Sequence, residues 1–321
     1  MIRTSVGWPL YVAYTNEAIV TFHLRRHTPT TEEIRFRQTW QGREVTIVDR
    51  GEYRSLYFDS PLIQSRMDLN HPLRVVSPYI QHMLAALLFN MHPRQVLLIG
   101  LGGGTLAKFV LHYLPACHLE AVDCHPAMAS IAHQFFFLPT EDRLTLHCAE
   151  GEAFVAKRVG QPVPYDWILV DAFDHAGLVE QVRSAAFLSQ LGSLLSDDGV
   201  LIFNLFRSQA DLHQATLRTL VASFPKTILR LPVPGSNEII FCLQRKNPFT
   251  QLKYLPELQR MTQQWAADQP DLTYTHFMGF LHRLMPVKQT LSLSRPGCLQ
   301  HYPLRGKINF HLDLGGEVRV F

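Results

Sequence analysis

The chain has 321 residues, of which 47% are hydrophobic and 18% are charged, and its formal net charge at pH 7 is +3. This composition is typical of a soluble globular protein and excludes a disordered chain. The Lys and Arg residues are scattered, which argues against a nucleic-acid-binding stripe, and no stretch reaches the ~18 apolar residues that span a bilayer.

The first 75 residues are rich in short alternating segments, which predict a small N-terminal β domain. Residues 44–49 and 53–58 are predicted strands joined by a tight turn. Residues 67–78 contain two prolines, so we expect a loop or a crossing segment there. Residues 79–90 (YIQHMLAALLFN) form a predicted helix with a broad apolar face.

Residues 96–105 (VLLIGLGGGT) combine an apolar run with a glycine-rich turn. The four apolar residues at the start predict a strand that is buried on both faces. The turn contains Gly100, Gly102, Gly103 and Gly104. Helical spacing begins at Thr105, and a strand, a glycine turn and a helix in this order predict a nucleotide site. Thr105 replaces the last glycine of the dinucleotide fingerprint G-x-G-x-x-G, so the spacing does not match that motif.

Strands and helices alternate after this turn. Further strands are predicted at residues 118–122, 144–148, 167–170 and 199–204, the last after a turn at residues 197–199. A helix at 210–224 then leads to a hairpin of strands 227–231 and 238–244. This order predicts an α/β fold with a doubly wound, methyltransferase-like (Rossmann-like) sheet.

We expect three units: an N-terminal β-rich domain (1–75), a methyltransferase-like nucleoside-binding domain (76–248) and a C-terminal extension of unknown role (249–321). In the extension, helices are predicted at 257–265 and 276–284, and strands at 307–312 and 317–321. No chemistry beyond packing is evident there.

Four acids follow successive strands: Asp123, Glu150, Asp171 and Asp174. The carboxyl ends of strands in such sheets line the ligand crevice, so we expect these side chains to converge. Asp123 is placed to bind ribose hydroxyls, or else to cap the next helix. Asp171 and Asp174 form an anionic mouth suited to a cationic substrate, and one of them is a candidate base toward an amine. The alternative is a turn in which Asp174 caps a helix.

The spacing of the cysteines and histidines indicates the cellular compartment of the protein and whether it has a metal-binding site. The cysteines are Cys117, Cys124, Cys148, Cys242 and Cys298. Their number is odd and they form no C-x-x-C pair, as expected for reduced thiols in a cytoplasmic protein without a signal peptide. His23 and His27 have H-x-x-x-H spacing, but two arginines and no acid lie between them, so we expect no metal site.

Residues from about 44 to 248 resemble the polyamine aminopropyltransferase family, meaning spermidine and spermine synthases. The similar segments are 59–64 (DSPLIQ), 79–84 (YIQHML), 96–105, 121–123 (AVD), 150–154 (EGEAF), 169–174 (LVDAFD), 198–204 and 224–248. The resemblance implies transfer of an aminopropyl group from decarboxylated S-adenosylmethionine to a polyamine amine, with release of methylthioadenosine. It also implies a homodimer.

The resemblance assigns a role to each matched position. The turn from Gly100 to Gly104 would hold the nucleoside, Asp123 its ribose, and Glu150 with Gly151 would lie near the adenine. Asp171 would be the general base. Tyr79, a second candidate catalytic residue, and Gln64 would contact the amine substrate, and Asp174 would hold the far charge of the polyamine.

Three departures from the family pattern are present. Gly103 replaces the aspartate of the family loop G-G-G-D-G-G, which would contact the amino end of the donor. The family pair Tyr-His becomes Tyr79-Ile80, and Ala172-Phe173 replaces a serine-rich stretch between the two acids. Two alternatives therefore stay open: a methyltransferase that uses intact S-adenosylmethionine, and a non-catalytic relative that binds a nucleoside.

Overall fold

The computed structural model describes residues 11–15, 18–22, 32–161, 164–174, 177–178, 183–208, 210–224, 227–244, 252–287, 310–312 and 318–320. Some features of the sequence lie outside these residues: the His23/His27 pair, Cys298, the segment 245–248, and the side chain of Asp174.

The elements of the N-terminal third, in chain order, are β1 (Tyr11–Thr15), β2 (Ala18–Phe22), β3 (Glu32–Trp40), β4 (Arg43–Arg50), β5 (Tyr53–Phe58), β6 (Ile63–Asp68), α1 (Pro78–Met83) and a 3₁₀ helix (Leu84–Leu88). The next elements are β7 (Gln95–Ile99), α2 (Thr105–Tyr113), β8 (His118–Asp123), α3 (Met128–Phe136), β9 (Leu144–Cys148), α4 (Gly151–Arg158), β10 (Tyr165–Val170), β11 (Phe173–Asp174) and β12 (Gly177–Leu178). The last are α5 (Ala185–Leu194), β13 (Leu195–Phe206), α6 (Ala210–Ser223), β14 (Thr227–Pro232), β15 (Asn237–Leu243), α7 (Leu255–Gln264), α8 (Tyr274–Arg283), β16 (Met285–Pro286), β17 (Phe310–Leu312) and β18 (Val318–Val320).

The N-terminal sheet is antiparallel, with the order β3-β4-β5-β6. Successive side chains of a strand point to opposite faces, and in β4 residues on both faces are buried. Val45, Ile47 and Leu56 share one face, are almost fully buried and join the same apolar cluster as β7 and α2. The N-terminal sheet therefore packs directly against the central sheet and its helices.

The central sheet has eight strands in the order β16-β14-β15-β13-β10-β7-β8-β9. The strands from β13 to β9 are parallel, and β15 runs antiparallel between β13 and β14. β7 and β10 at its centre are apolar and covered on both faces, as predicted. The doubly wound sheet completed by a hairpin is confirmed.

Three local predictions differ from the structure. The expected turn at residues 197–199 lies within β13, because the pairing with β10 jumps from Tyr165↔Leu195 to Trp167↔Val200 and a bulge absorbs the extra residues. The expected single helix over 79–90 is α1 followed by a 3₁₀ helix, whose five side chains are all buried. The predicted loop at 67–78 begins two residues later, since β6 extends to Asp68.

The described part of the C-terminal extension, residues 252–287, packs onto the central domain. Leu258, Leu272 and Phe277 are fully buried in its apolar cluster, and β16 pairs with β14 at the edge of the central sheet. Both predicted helices are present as α7 and α8, and β17 pairs with β18. Within the described ranges, no helix is long and apolar enough to cross a membrane.

Candidate active site

A cavity of about 320 Å³ lies at the carboxyl ends of the central strands. Its floor is formed by the residues that follow β7, β8, β9 and β10, and its opposite wall is the N-terminal sheet with α1. This is the position in which open α/β sheets bind ligands. The lining is acidic, because it contains four carboxyl side chains and one guanidinium. The carboxyl groups belong to Glu44, Asp123, Glu150 and Asp171, and the guanidinium belongs to Arg43.

The glycine turn brings the backbone close to the base of the cavity. Gly100 has a φ of +94°, and a Cβ built there would lie 2.2 Å from the carbonyl oxygen of Asp171. Only glycine fits at this crossing of two strand ends. Gly104 follows with a φ of +73° at the N-cap of α2. The predicted order of strand, glycine turn and helix is confirmed.

Asp123 ties the turn to the end of β8. Its Oδ2 accepts hydrogen bonds from the backbone N–H of Leu101 at 2.9 Å and of Gly102 at 3.4 Å, and its Oδ1 accepts from the N–H of His125 at 2.9 Å. Burial raises the pKa of this carboxyl, and the three backbone donors oppose that rise. Asp123 does not cap α3, whose N-cap residue is Ala127. A carboxylate has about four acceptor sites, so one remains for a ligand hydroxyl.

Glu150 and Gly151 lie at the rim of the same cavity, after β9. Glu150 is exposed and occupies the N-cap position of α4, but its side chain makes no capping hydrogen bond. A Cβ at Gly151 would lie 2.8 Å from Ile99, so this glycine allows α4 to start directly against β7.

Asp171 is the carboxylate at the end of β10, and two side chains donate to it. The Tyr79 hydroxyl donates to Oδ2 at 3.1 Å, and the Asn204 amide donates to Oδ1 at 2.9 Å. Asn237 in turn donates to the Asn204 oxygen at 2.9 Å. Burial raises the pKa of Asp171 to about 6, although both hydrogen bonds lower it. Burial and the neighbouring carboxylate raise the pKa of Tyr79, so its hydroxyl remains a donor.

The two predicted amine-binding residues, Gln64 and Asp174, are described to different extents. Gln64 lines the cavity from β6, on the same wall as Tyr79. Asp174 lies in the short β11, which pairs with β12 through Asp174↔Gly177, three residues beyond Asp171. The cavity thus brings together Gly100 and Gly102 of the turn with Asp123, Glu150, Gly151, Asp171, Tyr79 and Gln64. Gly103 and Gly104, which were also predicted to bind the cofactor, are not among its lining residues.

Gly103 lies in a filled space. Its backbone N–H donates to the Ser65 hydroxyl at 2.8 Å, and a Cβ there would lie 2.8 Å from the Phe136 ring and 3.0 Å from Ser65 Cβ. A carboxylate at position 103 therefore has no room unless both neighbours move. An aspartate at position 103, which the family resemblance would predict, fits only if Phe136 and Ser65 shift.

The sequence did not single out several residues of the cavity. Asn204 was missed as a partner of Asp171, although an asparagine inside the apolar run of β13 was a signal, and Asn237 was missed as the partner of Asn204. His125 was missed as well, and it packs against Trp40, with ring centroids 4.6 Å apart, and near Phe58 at 6.2 Å. The aromatic wall comes from β3 and β5, and no local pattern connects these strands with residue 125.

Comparisons with known proteins bear on this site. The spermine/spermidine synthase domain matches residues 74–232. A polyamine aminopropyltransferase of Chromobacterium violaceum is 34% identical over 206 residues, which cover 64% of this chain and 77% of the relative. This chain belongs to the spermine/spermidine synthase family. The predicted family and its class, the transferases, are thereby confirmed.

Solved structures agree with the fold of this family member. A spermidine synthase in complex with the transition state analogue AdoDATO superposes with a TM-score of 0.56 over 76% of this chain and 83% of that one, at 16% identity. Human methyltransferase-like protein 13 in complex with SAH has a TM-score of 0.50 and 28% identity, over 68% of this chain and 98% of that one. Within the described residues, no group of three or more potential ligands of a metal ion is found.

Proposed function

We propose that this protein transfers the aminopropyl group of decarboxylated S-adenosylmethionine to an amine of a polyamine and releases methylthioadenosine. The observation that carries the proposal is the Asp171 carboxylate, which two donors orient at the end of an acidic cavity. The family membership and the relative named polyamine aminopropyltransferase support the same reaction.

In the proposed reaction, the amine nitrogen attacks the carbon next to the sulfonium, the new C–N bond forms, and the C–S electron pair returns to sulfur. The sulfonium is already a good leaving group, so the protein contributes positioning and removal of a proton. Asp171 accepts the proton of the amine. Its pKa of about 6 leaves it largely ionised at neutral pH while keeping it a stronger base than an ordinary aspartate.

The other roles follow from position in the cavity. We propose that the turn from Gly100 to Gly104 holds the nucleoside, that the free acceptor site of Asp123 binds its ribose, and that Glu150 with Gly151 lies at the adenine. Tyr79 orients Asp171, and Gln64 and Asp174 bind the amine. The acidic lining favours a cationic acceptor, because four carboxyls face one guanidinium.

A second candidate is methyl transfer from intact S-adenosylmethionine. One specific observation favours it: packing by Ser65 and Phe136 excludes an acid at Gly103, so no carboxylate there repels the carboxylate of the intact donor. The similarity to a methyltransferase-like protein in complex with SAH agrees with this alternative.

Calorimetric titration with the two donors in parallel separates the candidates. Aminopropyl transfer predicts tighter binding of the decarboxylated donor than of the intact one, and the Asp123→Ala variant controls for binding elsewhere. The reverse preference supports methyl transfer. Binding of both donors without turnover of either supports the non-catalytic relative.

We further propose a cytoplasmic homodimer. The β-rich N-terminal region is small for an independent domain, which favours pairing between subunits, and the family resemblance points the same way. The four cysteines in the described ranges are free, in line with a reducing compartment. Light scattering at micromolar concentration tests the dimer, and a stable monomer would refute it.

A further inference from the structure

Residues 69–77 connect β6 to α1 without regular structure and carry the chain to Tyr79. Most of this segment is half-buried and Val75 is fully buried, and buried backbone polar groups need hydrogen-bond partners. Two of these partners are nearby side chains: Asp68 Oδ1 accepts from the N–H of Asn70 at 2.9 Å, and Lys108 Nζ donates to the Pro72 carbonyl at 2.7 Å. Two backbone groups in the middle of the segment bind a side chain from much farther along the chain.

Gln269 of the C-terminal extension holds the middle of this segment. Its side chain is fully buried, its Nε2 donates to the Leu73 carbonyl at 2.5 Å, and its Oε1 accepts from the Val75 N–H at 2.9 Å. From the other side, Gln81 Nε2 donates to the Val75 carbonyl at 2.7 Å. Both backbone groups of Val75 are thus bound by side chains.

Arg283, the last residue of α8, contacts the last turn of α1 through His82. Its Nη2 lies 3.0 Å from His82 Nε2 and, as a permanent donor, makes that nitrogen an acceptor. His82 Nδ1 then carries the proton and donates to the Pro78 carbonyl at 2.7 Å. Burial, assisted by the Arg283 charge, lowers the pKa of His82 to about 4, so the ring stays neutral. Phe280 of α8 packs on the same ring at 4.6 Å.

We infer that the C-terminal extension positions Tyr79 on Asp171, and that Gln269 and Arg283 are the positioning residues. Tyr79 lies between the two held points, Val75 and His82, and touches neither residue of the extension in the contacts described. The inference extends the proposed function, since it gives the extension a part in setting the base, and it rests on the role proposed there for Asp171.

The consequence for Asp171 follows from the hydrogen-bond geometry. The Tyr79 contact is already 3.1 Å long, and a further shift of about 1 Å in α1 breaks it. This bond lowers the pKa of Asp171, so its loss raises that pKa further. Asn204 keeps its contact, because it lies on β13, which is paired with β10 and β15 inside the central sheet. We expect the other charged or titratable groups that line the cavity to stay in place: Arg43, Glu44, Asp123, Cys124, His125 and Glu150.

The test is a ¹³C NMR titration of the aspartate side-chain carboxyls in the full-length protein, with Asp171→Asn used to assign the Asp171 signal. The variants are Gln269→Leu, which keeps the volume, and Arg283→Met, which keeps the stem of an exposed side chain. Thr262→Val is the matched control, since Thr262 is buried in α7 and bonds only to Gln259 within the extension. We expect both variants to raise the Asp171 midpoint by roughly 0.4–1 unit, the worth of one hydrogen bond.

Thr262→Val should lower the melting temperature and leave the midpoint unchanged. The inference is overturned if Gln269→Leu and Arg283→Met behave like this control. If Gln269→Leu does not fold, the Asp171 midpoint of Arg283→Met still tests the inference, because Arg283 is exposed and its replacement should leave the protein folded. Because the titration needs no substrate, a shifted midpoint in a protein inactive with every donor would refute the proposed function and keep the positioning role.

Discussion

Replacement of Tyr79 by phenylalanine tests how the protein sets the base. Tyr79→Phe keeps the ring and removes the hydroxyl that donates to Asp171 Oδ2 at 3.1 Å, while the Asn204 bond to Oδ1 remains. The Tyr79 bond lowers the Asp171 pKa, so its loss must raise that pKa above about 6. One lost hydrogen bond is worth roughly 0.4–1 pH unit.

The rate effect depends on pH in a defined direction. A base must be ionised, so the rate is present above the pKa of Asp171 and is lost as the pH falls through it. For a rise of about 0.7 unit, the ionised fraction at pH 6 falls from about one half to about one sixth, roughly a threefold loss, and at pH 8 the loss is negligible.

The assay is methylthioadenosine release, measured as kcat/KM from pH 5 to pH 9. Titration of the amine is common to parent and variant, so the difference between their profiles belongs to the enzyme. Tyr165→Phe is the control, because the Tyr165 hydroxyl bonds to Glu120 at 3.0 Å, outside the cavity. An acid limb that stays in place or moves to lower pH in Tyr79→Phe would refute this reasoning.

Three further outcomes are expected. Methylthioadenosine at a hundredfold excess over Kd should raise the free energy of unfolding by about 2.7 kcal/mol through mass action, and the melting temperature with it. Asp123→Ala should remove most of this gain in a thermal-shift titration. Gly103→Asp should lower the free energy of unfolding by about 1–3 kcal/mol in urea denaturation because the Phe136 ring fills the space, whereas Gly279→Asp, with nothing within 4 Å of its Cβ, should cost less. Asp174→Asn should raise KM for the amine more than it lowers kcat, and steady-state kinetics showing the opposite split would remove Asp174 from amine binding.

The fold was largely predictable because its strands are apolar runs bounded by clear turn residues. β7, β9 and β10 were located to within two residues, and the helices of the extension were recognised by their spacing. Two features escaped local patterns. The bulge in β13 uses Asp197-Asp198-Gly199, residues that are otherwise typical of a turn, and the 3₁₀ helix at Leu84–Leu88 is apolar on all sides, so it has no periodicity to measure.

The candidate site was predictable where residues follow strands and not where it depends on distant contacts. Asp123 and Asp171 come directly at strand ends, and the topology alone brings them to one edge. The filling of the space at Gly103 by Phe136 required the packing of α3 against the turn. The hydrogen bond between Gln269 and Val75 joins residues 194 positions apart, and no rule of local sequence spacing predicts such a contact.

The most direct test of the central proposal is product analysis by mass spectrometry with decarboxylated S-adenosylmethionine and putrescine or spermidine. We expect the parent to release methylthioadenosine and to form the aminopropylated amine, and we expect Asp171→Asn to be slower by ~10² to 10⁴, as is typical for loss of a general base. Absence of both products in the parent, together with methylation of an amine from the intact donor, would contradict aminopropyl transfer and establish the methyltransferase alternative.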